Sequence, residues 1–578
     1  MTSFKLERFP FGSDEVRAWG AVDPRHRNWP VVYVMNNDKQ VYVGESLNVE
    51  GRMRQHLESK EKQRLKSVRV VLDETFNKSA CLDLESFLIR MFHGDGRLEV
   101  LNLNAGITDA EYYDRETYNK TFRQIFDELR THEEMFQRTV PQIVNSDLFK
   151  LSPFKALNHD QAIAVDDILE GFFDDLATGV SNTVVVEGNP GTGKTVVAIY
   201  MLKLLEDIRH HDPEEPLDID SIFSDYFTPG YAELLKPLRF AMVVPQQSLR
   251  DSIAKVFKLT PGLHKNQVLT PFQVGESREP FDLLIVDEAH RLNHRANQAS
   301  GPLNKKFREI NEQLFGWDDP QLTQLDWIRR QSRHSILMLD VGQTVRPADL
   351  PVAMTKQLAI EARAAGRHYP LQTQMRIAAD KDYVGYIRAL LSDNPPSAPE
   401  DFGDYDLRLF TDLGEMREEL RKREDEYGLS RLVAGYAWPW LSKNDPEAYD
   451  IEVDGERLRW NSTTTDWINS PKSVDEVGSI HTVQGYDLNY VGVIIGNDLR
   501  FDPATQKLVF DRANYYDKKG QENNPKLGIT YSDEDLLEYV KNIYSVLLTR
   551  GIRGTYLYFE NNQTQKRFSE RLPHQTSV

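Results

Sequence analysis

The sequence predicts a multidomain α/β protein: a small α+β unit at the N-terminus, followed by two larger lobes, each built on a parallel sheet. Three observations predict it. The 578 residues exceed the size at which a single hydrophobic core stops growing, so the chain divides into several globular units. Near the start, two β-branched, tyrosine-bearing runs flank a short polar segment, the pattern of a hairpin. Further on, the apolar run Thr183-Val184-Val185-Val186-Glu187 passes directly into Gly188-Asn189-Pro190-Gly191-Thr192-Gly193-Lys194-Thr195 and then into an apolar helical stretch from Val196 to Leu205. That order of strand, glycine-rich loop and helix belongs to phosphate-binding lobes.

Composition narrows the function classes. Hydrophobic residues at 40% and charged residues at 28% are ordinary for a soluble protein. No run approaches the roughly 18 apolar residues of a membrane span, so no membrane partner is expected. The opening Met1-Thr2-Ser3-Phe4-Lys5-Leu6-Glu7-Arg8 lacks the basic and then apolar order of a signal peptide, and the single Cys81 cannot form an intrachain disulfide. A cytoplasmic setting is the expectation. The net charge of -19 argues against a protein coated in nucleic acid, because backbone binding depends on Lys and Arg displacing counterions. Any such contact is local. Arg52, Arg54, Lys60, Lys62, Arg64, Lys66 and Arg69, opposed only by Glu58 and Glu61, form one candidate; charge alone favours a solvated helix face.

The N-terminal unit comes first. Val31 to Met35 and Val41 to Gly44 read as two strands around Asn36-Asn37-Asp38-Lys39-Gln40. Tyr33 and Tyr42 are their middle residues, and Gly44 ends the second strand where the chain must turn into a helix. Ser46 or Asn48 is placed to cap that helix, which would set Arg52 and His56 one turn apart on one face, beside the two phenols. Ala80 to Phe92 has helical apolar spacing, and Glu85 lies on the line of Cys81, Ile89 and Phe92. A carboxylate on an apolar stripe needs a partner. A Mg²⁺ ion held by one carboxylate, waters and phosphate oxygens would supply it, and so would an ion pair with Arg52 or Lys78.

These residues resemble the GIY-YIG nuclease family over about residues 28–107. V-V-Y stands for the first signature, V-Y-V-G for the second, followed by Asn48, Arg52, His56, Glu85 and Asn102. The leading glycine of the first signature is Val31 here, which leaves open a nucleic-acid-binding regulator with an inactive nuclease. The resemblance implies one metal ion, Mg²⁺ or Mn²⁺, on Glu85. It further implies Tyr33 or Tyr42 helping to deprotonate water, and Arg52 stabilising the transition state.

Residues 1–107 form the expected nuclease domain, and 108–150 a polar, helix-compatible connector. In the lobe expected at 151–375, the glycines let backbone N–H groups curl around phosphates, Lys194 reaches the β and γ oxygens, and Thr195 coordinates Mg²⁺. A second apolar strand, Phe281 to Val286, ends in Asp287-Glu288-Ala289-His290. Asp287 would hold the Mg²⁺ through water and Glu288 would polarise the attacking water. ATP and Mg²⁺ are therefore the expected cofactors.

The remaining pattern resembles a superfamily 1 helicase core and, with R-L-V-A-G-Y-A-W-P-W at 431–440, the Schlafen-type helicase-like ATPases over about 152–560. The resemblance implies that Gln161 reads the adenine edge and that V-V-P-Q-Q-S-L-R (243–250) and L-T-P-F-Q (269–273) contact nucleic acid. It assigns Gln343 of L-M-L-D-V-G-Q to sensing the γ-phosphate. In the second lobe, 376–578, it matches Arg376 to that lobe's first arginine, Gln484 and Gly485 to its glutamine-glycine motif, and Arg550 to the arginine finger. Both lobes would be RecA-like. Only 36 residues separate Arg250 from Asp287 and 105 separate Arg376 from Thr482, too few for the accessory subdomains of processive unwinding enzymes, so weak or no processive unwinding is expected. The stretches 206–237 and 289–334, rich in charge and aromatics, are insertions open to a partner, a substrate or neither.

Two functions follow from the resemblance. In one, the lobes translocate on or remodel nucleic acid, with DNA favoured, while the attached domain cuts it, an architecture similar to bacterial nuclease-ATPase defence proteins. In the other, the lobes are an ATP-gated switch that senses nucleic acid or a partner and licenses the nuclease without moving along a track. A protein partner or a homo-oligomer stays open.

Overall fold

The computed structural model describes residues 4–103, 112–212, 223–295, 301–463, 466–483 and 485–572, so Gln484 and parts of both insertions (213–222 and 296–300) lie outside the described residues. Contacts divide the chain into two compact units. The first is Met1–Val180 with Thr195–Phe240 and Ile253–Val268; the second is Ser181–Lys194 with Ala241–Ser252 and Leu269–Val578. No helix among the described residues is long and apolar enough to cross a membrane.

The first unit contains a five-stranded sheet in the order Phe4–Pro10, Ser67–Asp73, Val31–Asn36, Gln40–Ser46, Glu99–Val100. Its pairs are antiparallel except the last. The expected hairpin is present, with Tyr33 opposite Gly44 and Met35 opposite Tyr42. Asn37 fixes its turn, its Oδ1 accepting the amides of Lys39 and Gln40 at 2.9 and 2.8 Å. Residues 31–35 are apolar or aromatic without interruption because both faces are covered. Val32 and Val34 face the core beneath helix Lys78–Asp95, while Val31, Tyr33 and Met35 face a second core with Val16, Val49 and Met53.

Helix Val49–Glu58 is capped by Asn48, whose Oδ1 accepts the Gly51 amide at 3.0 Å; Ser46 instead accepts the Asn48 amide through its hydroxyl. The basic run is not one helix face. It is spread over this helix, the turn Lys62–Arg64 and the strand Ser67–Asp73, and Arg69 points inward to Glu133 at 2.7 Å and Asn36 at 2.6 Å. Arg54 pairs with Glu50, Lys60 with Asp212 and Lys66 with Asp38.

The segment expected as a connector is part of this unit's core. In helix Arg115–Thr131, Tyr118, Phe122, Ile125, Phe126 and Leu129 make one stripe at helical spacing and join Phe92, and Phe136 stacks on Phe92 with ring centroids 4.2 Å apart. At roughly 1.5–3 kcal/mol for each fully buried apolar side chain, that stripe outweighs the polar outer face that dominates the composition.

The second unit holds two sheets. One has the order His368–Leu371, Asn182–Gly188, Ser332–Leu339, Phe281–Val286, Phe240–Val243, Val268–Leu269, and its first four strands are mutually parallel. The other, Asp406–Phe410, Gly551–Phe559, Leu488–Ile495, Ser430–Ala434, Val477–Ser479, is parallel throughout. Both are the sheets of RecA-like lobes, and parallel sheets bind ligands beyond the carboxyl ends of their strands. Within the insertion 289–334, helices Gly301–Phe315 and Gln324–Gln331 build a small core around Phe307 and Trp327.

Candidate active sites

In the first unit the strands carry two phenols to one place. Tyr33 and Tyr42 are buried with ring centroids 6.3 Å apart, and the Tyr33 hydroxyl lies 2.8 Å from His56 Nε2. Gly44 makes this possible, since a Cβ there would sit 2.3 Å from the Tyr33 hydroxyl. The charge of Arg52 acts on the same phenol. Burial pushes both phenols well above their ordinary range. It also drives His56 down to about 2, helped by the charges of Lys62 and Arg52. All three groups are therefore uncharged at neutral pH. Lys62, which the motif does not indicate, lies 4.1 Å above the Tyr42 ring.

Glu85 stands on helix Lys78–Asp95. Of the two partners open to it, Lys78 pairs with Glu45, and the charge of Arg52 acts on Glu85. Burial raises the Glu85 carboxyl to about 8 and the Glu45 carboxylate adds to that, against the opposing charges of Lys78 and Arg52. Glu45 Oε2 is itself buried without a hydrogen-bond partner. A carboxyl raised by burial beside a second one with an unbonded oxygen fits a divalent cation. Among the described residues no group of three or more His, Cys, Asp or Glu side chains could enclose one, so water and phosphate oxygens would complete the shell. Asn102 braces the site from behind, its amide bonding both the N–H and the C=O of Val43.

In the second unit, Asn182–Gly188 and Phe281–Val286 flank the same strand, Ser332–Leu339. All three are parallel, so the loop Gly188 to Lys194, the pair Asp287-Glu288 and Asp340 leave the sheet at one end. Gly191 and Gly193 adopt φ of +86° and +80°, the left-handed region that turns the loop's amides inward. Lys194 Nζ donates to Gly188 O at 2.6 Å and Asn189 O at 3.0 Å, and Thr192 Oγ1 donates to Asn189 O at 3.0 Å. Pro190 O accepts from Gln374 Nε2 at 2.6 Å and Gly191 O from the Met375 amide at 2.9 Å, which pins the loop to the segment leading to Arg376. Thr195 is the second residue of helix Lys194–His210.

Asp287 is fully buried. Glu288 has φ of +49°, an uncommon conformation for a residue with a Cβ, and its carboxylate lies 3.1 Å from His290 Nε2. Burial favours its neutral form, but the contact with His290 and the charges of Lys194 and Arg291 outweigh that and hold it well below the usual carboxylate range. Asp340, absent from the expected set, is the hub: Gln343 Nε2 donates to it at 2.7 Å and Lys194 Nζ lies at 3.7 Å. Gln343 Oε1 is buried with no hydrogen-bond partner, an acceptor that fits a water or ligand donor.

In the second lobe Arg376 is ion-paired with Asp487. Arg550 is buried, donating to Val546 O at 3.1 Å and Tyr486 O at 3.4 Å; burial and the charge of Arg376 lower it to about 10, against the pull of Asp487, Glu288 and Asp340. Gly485 has φ of +88°, and beside it Tyr486 donates to Ser248 O at 3.3 Å, so the 479–487 motif meets the 243–250 loop. Two expected contacts have structural duties. Gln161 completes a capping box with Asn158 at the start of helix His159–Thr178, and Gln273 does the same with Thr270.

Comparisons with known proteins agree with both halves. The GIY-YIG catalytic domain family matches residues 30–94. The uncharacterized protein YPL245W of Saccharomyces cerevisiae is 26% identical over 414 residues, covering 66% of this chain and 83% of its own. Among solved structures, an arterivirus helicase, nonstructural protein 10, aligns with 69% of this chain at 12% identity and a TM-score of 0.27; the chain spans 64% of its length. Bacteroides Pif1 bound to single-stranded DNA aligns with 70% of this chain and 94% of its own at 10% identity and a TM-score of 0.25. The Schlafen group 3 DNA/RNA helicase domain matches residues 181–561. With that match spanning well over half of the sequence, the chain belongs to the Schlafen group 3 helicase family and carries a GIY-YIG catalytic domain ahead of its helicase domain.

Proposed function

We propose that the protein is an ATP-dependent, metal-dependent nuclease of the cytoplasm. Its helicase-like lobes engage nucleic acid, with DNA favoured, and translocate on it or remodel it, while the GIY-YIG domain cuts; by architecture the setting is bacterial antiviral defence. What supports this reading is that one chain carries two residue sets suited to phosphate chemistry, Tyr33, His56 and Glu85 in one unit and the Lys194 loop with Asp287 and Glu288 in the other.

At the nuclease site Glu85 and Glu45 would hold a divalent cation, which when bound supplies Lewis acidity and a nucleophile at neutral pH. The protein's own groups do the rest. Tyr33 and Tyr42, kept protonated by burial, orient water by hydrogen bonds, and Tyr33 can pass a proton along its contact with His56. Arg52 is the cation available for charge developing on the phosphate. At the ATP site Lys194 and the loop amides bind phosphates, Asp287 and Thr195 would hold Mg²⁺, and the ionised Glu288 orients the attacking water. Gln343, Arg376 and Arg550 couple hydrolysis to lobe closure.

The ATP-gated switch is supported by one feature of its own. Between Arg250 and Asp287 the chain forms only the rest of helix Gln247–Leu259, the turn Lys265–Gln267, the short elements Val268–Leu269 and Pro271–Gly275, and the strand Phe281–Val286. Counting ATP molecules hydrolysed per phosphodiester cut separates the two readings. Many per cut supports a motor; a stoichiometric value supports the switch.

A further inference from the structure

The second lobe brings three arginines to the nucleotide end of the first sheet, and two are already engaged. Arg376 is paired with Asp487, and Arg550 is buried against the main-chain oxygens of Val546 and Tyr486. The third is Arg388, on helix Tyr383–Leu390. That helix is started by Asp382, which accepts the Gly385 amide at 2.8 Å, and is anchored by Tyr383, Val384, Tyr386, Ile387 and Leu390 in the second-lobe core. Arg388 is carried on its remaining face.

The guanidinium lies against the phosphate-binding loop. Nη1 donates to Asn189 Oδ1 at 2.8 Å, and Nη2 is 3.7 Å from Asp340 Oδ1. Lys194 Nζ is 3.7 Å from the other oxygen of the same carboxylate, so two cations from different lobes flank one buried acid. Gly342 explains why they fit: a Cβ there would come within 2.7 Å of Arg388 Nη2. The side chain remains 36% exposed, so, unlike Arg550, it can reorient through solvent, while Lys194 and Gln343 stay beside the buried Asp340.

We propose that Arg388 is a phosphate-contacting residue of the nucleotide site, held ready by Asn189 and Asp340 and transferred to the γ-phosphate when a nucleoside triphosphate binds. An amide oxygen is a weak holder for a guanidinium, whereas a phosphate accepts it bidentately and with opposite charge. Lys194, its neighbour across Asp340, is the loop residue that reaches the β and γ oxygens, which places Arg388 at the γ end. The second lobe thereby distinguishes triphosphate from diphosphate. The inference rests on the ATP-site reading.

The test is nucleotide affinity of the full-length protein, wild type against Arg388→Ala, Arg388→Lys and Lys194→Ala, using ADP and a non-hydrolysable ATP analogue with Mg²⁺. A lost charge-assisted hydrogen bond predicts that Arg388→Ala weakens the triphosphate analogue by about tenfold or more, with ADP changed by less than about threefold. Arg388→Lys recovers only part of the loss, because an ammonium cannot make the planar two-bond contact. Asn189→Ala, which removes the resting partner but keeps the guanidinium, retains the preference for triphosphate. Equal weakening of both nucleotides, or no change in either, overturns the assignment of Arg388. If Lys194→Ala binds both nucleotides as the wild type does, the ATP-site reading fails and takes the assignment with it.

Discussion

The two candidate sites follow opposite electrostatic plans. Around Tyr33 and Glu85 burial strips charge away: two phenols stay protonated, His56 is neutral, and Glu85 holds its proton to about pH 8. Around Lys194 charge is kept and balanced, with Glu288 held ionised by its cationic neighbours and Asp340 set between Lys194 and Arg388. On the proposed reading, the ATP site would be organised before its ligand arrives, whereas the nuclease site would complete its charge only when a cation and a phosphate enter.

That contrast can be broken by experiment, and the largest effects belong to the charged site. Removing a single group aimed at transition-state charge costs about 10²–10³-fold in rate, so Glu288→Gln and Lys194→Ala should each lower ATP turnover by at least that factor, measured as phosphate release. Glu288→Gln should still bind ATP, whereas Lys194→Ala should not. At the nuclease site Glu85→Ala should abolish metal-dependent nicking while ATPase activity survives; nicking by this variant at the wild-type rate would remove the metal assignment.

The pH response sharpens the comparison. A cation must displace the proton on Glu85, so cleavage at limiting Mg²⁺ should rise with pH up to about 8, and Glu85→Gln should lose that dependence along with activity. Without metal the sign for stability is the reverse. The folded-state pKa of Glu85 lies above the ordinary value of 4.5, so its contribution is full below that value and is lost as pH rises through about 8. Thermal melts of wild type against Glu85→Gln should therefore diverge across that window, the variant being the less sensitive to pH. The smallest effect expected is Asn48→Ala, which removes the cap of the helix carrying Arg52 and His56 and should cost about 1 kcal/mol in denaturant unfolding.

Much of this was legible in the sequence because it is local. The hairpin, the helix carrying Glu85 and the glycine loop each declare themselves through periodicity or backbone need within a few residues. What escaped depends on which strands become neighbours. Asp340 lies inside the quoted L-M-L-D-V-G-Q motif, but its importance comes from Ser332–Leu339 settling between the loop strand and the Asp287 strand. Arg388 belongs to no local pattern and acquires its role by meeting Asn189 across 199 residues of chain. Lys62 reaches the Tyr42 ring, and Glu45 reaches Lys78 and the neighbourhood of Glu85, in the same way, through tertiary contact. The basic run illustrates the opposite error of a purely linear reading: its charge density is real, but a helix, a turn and a strand send its members in different directions, one of them into a buried pair with Glu133.

The central claim is that the two sites are separate and coupled. Its most direct test compares wild type, Lys194→Ala and Glu85→Ala for cleavage of single-stranded, duplex and forked DNA and RNA in Mg²⁺, with and without ATP. The account predicts that Glu85→Ala cuts nothing yet hydrolyses ATP, and that Lys194→Ala loses the ATP-dependent cutting. Wild-type cutting by both variants would contradict both assignments, and ATP-independent cutting by the wild type would contradict the coupling.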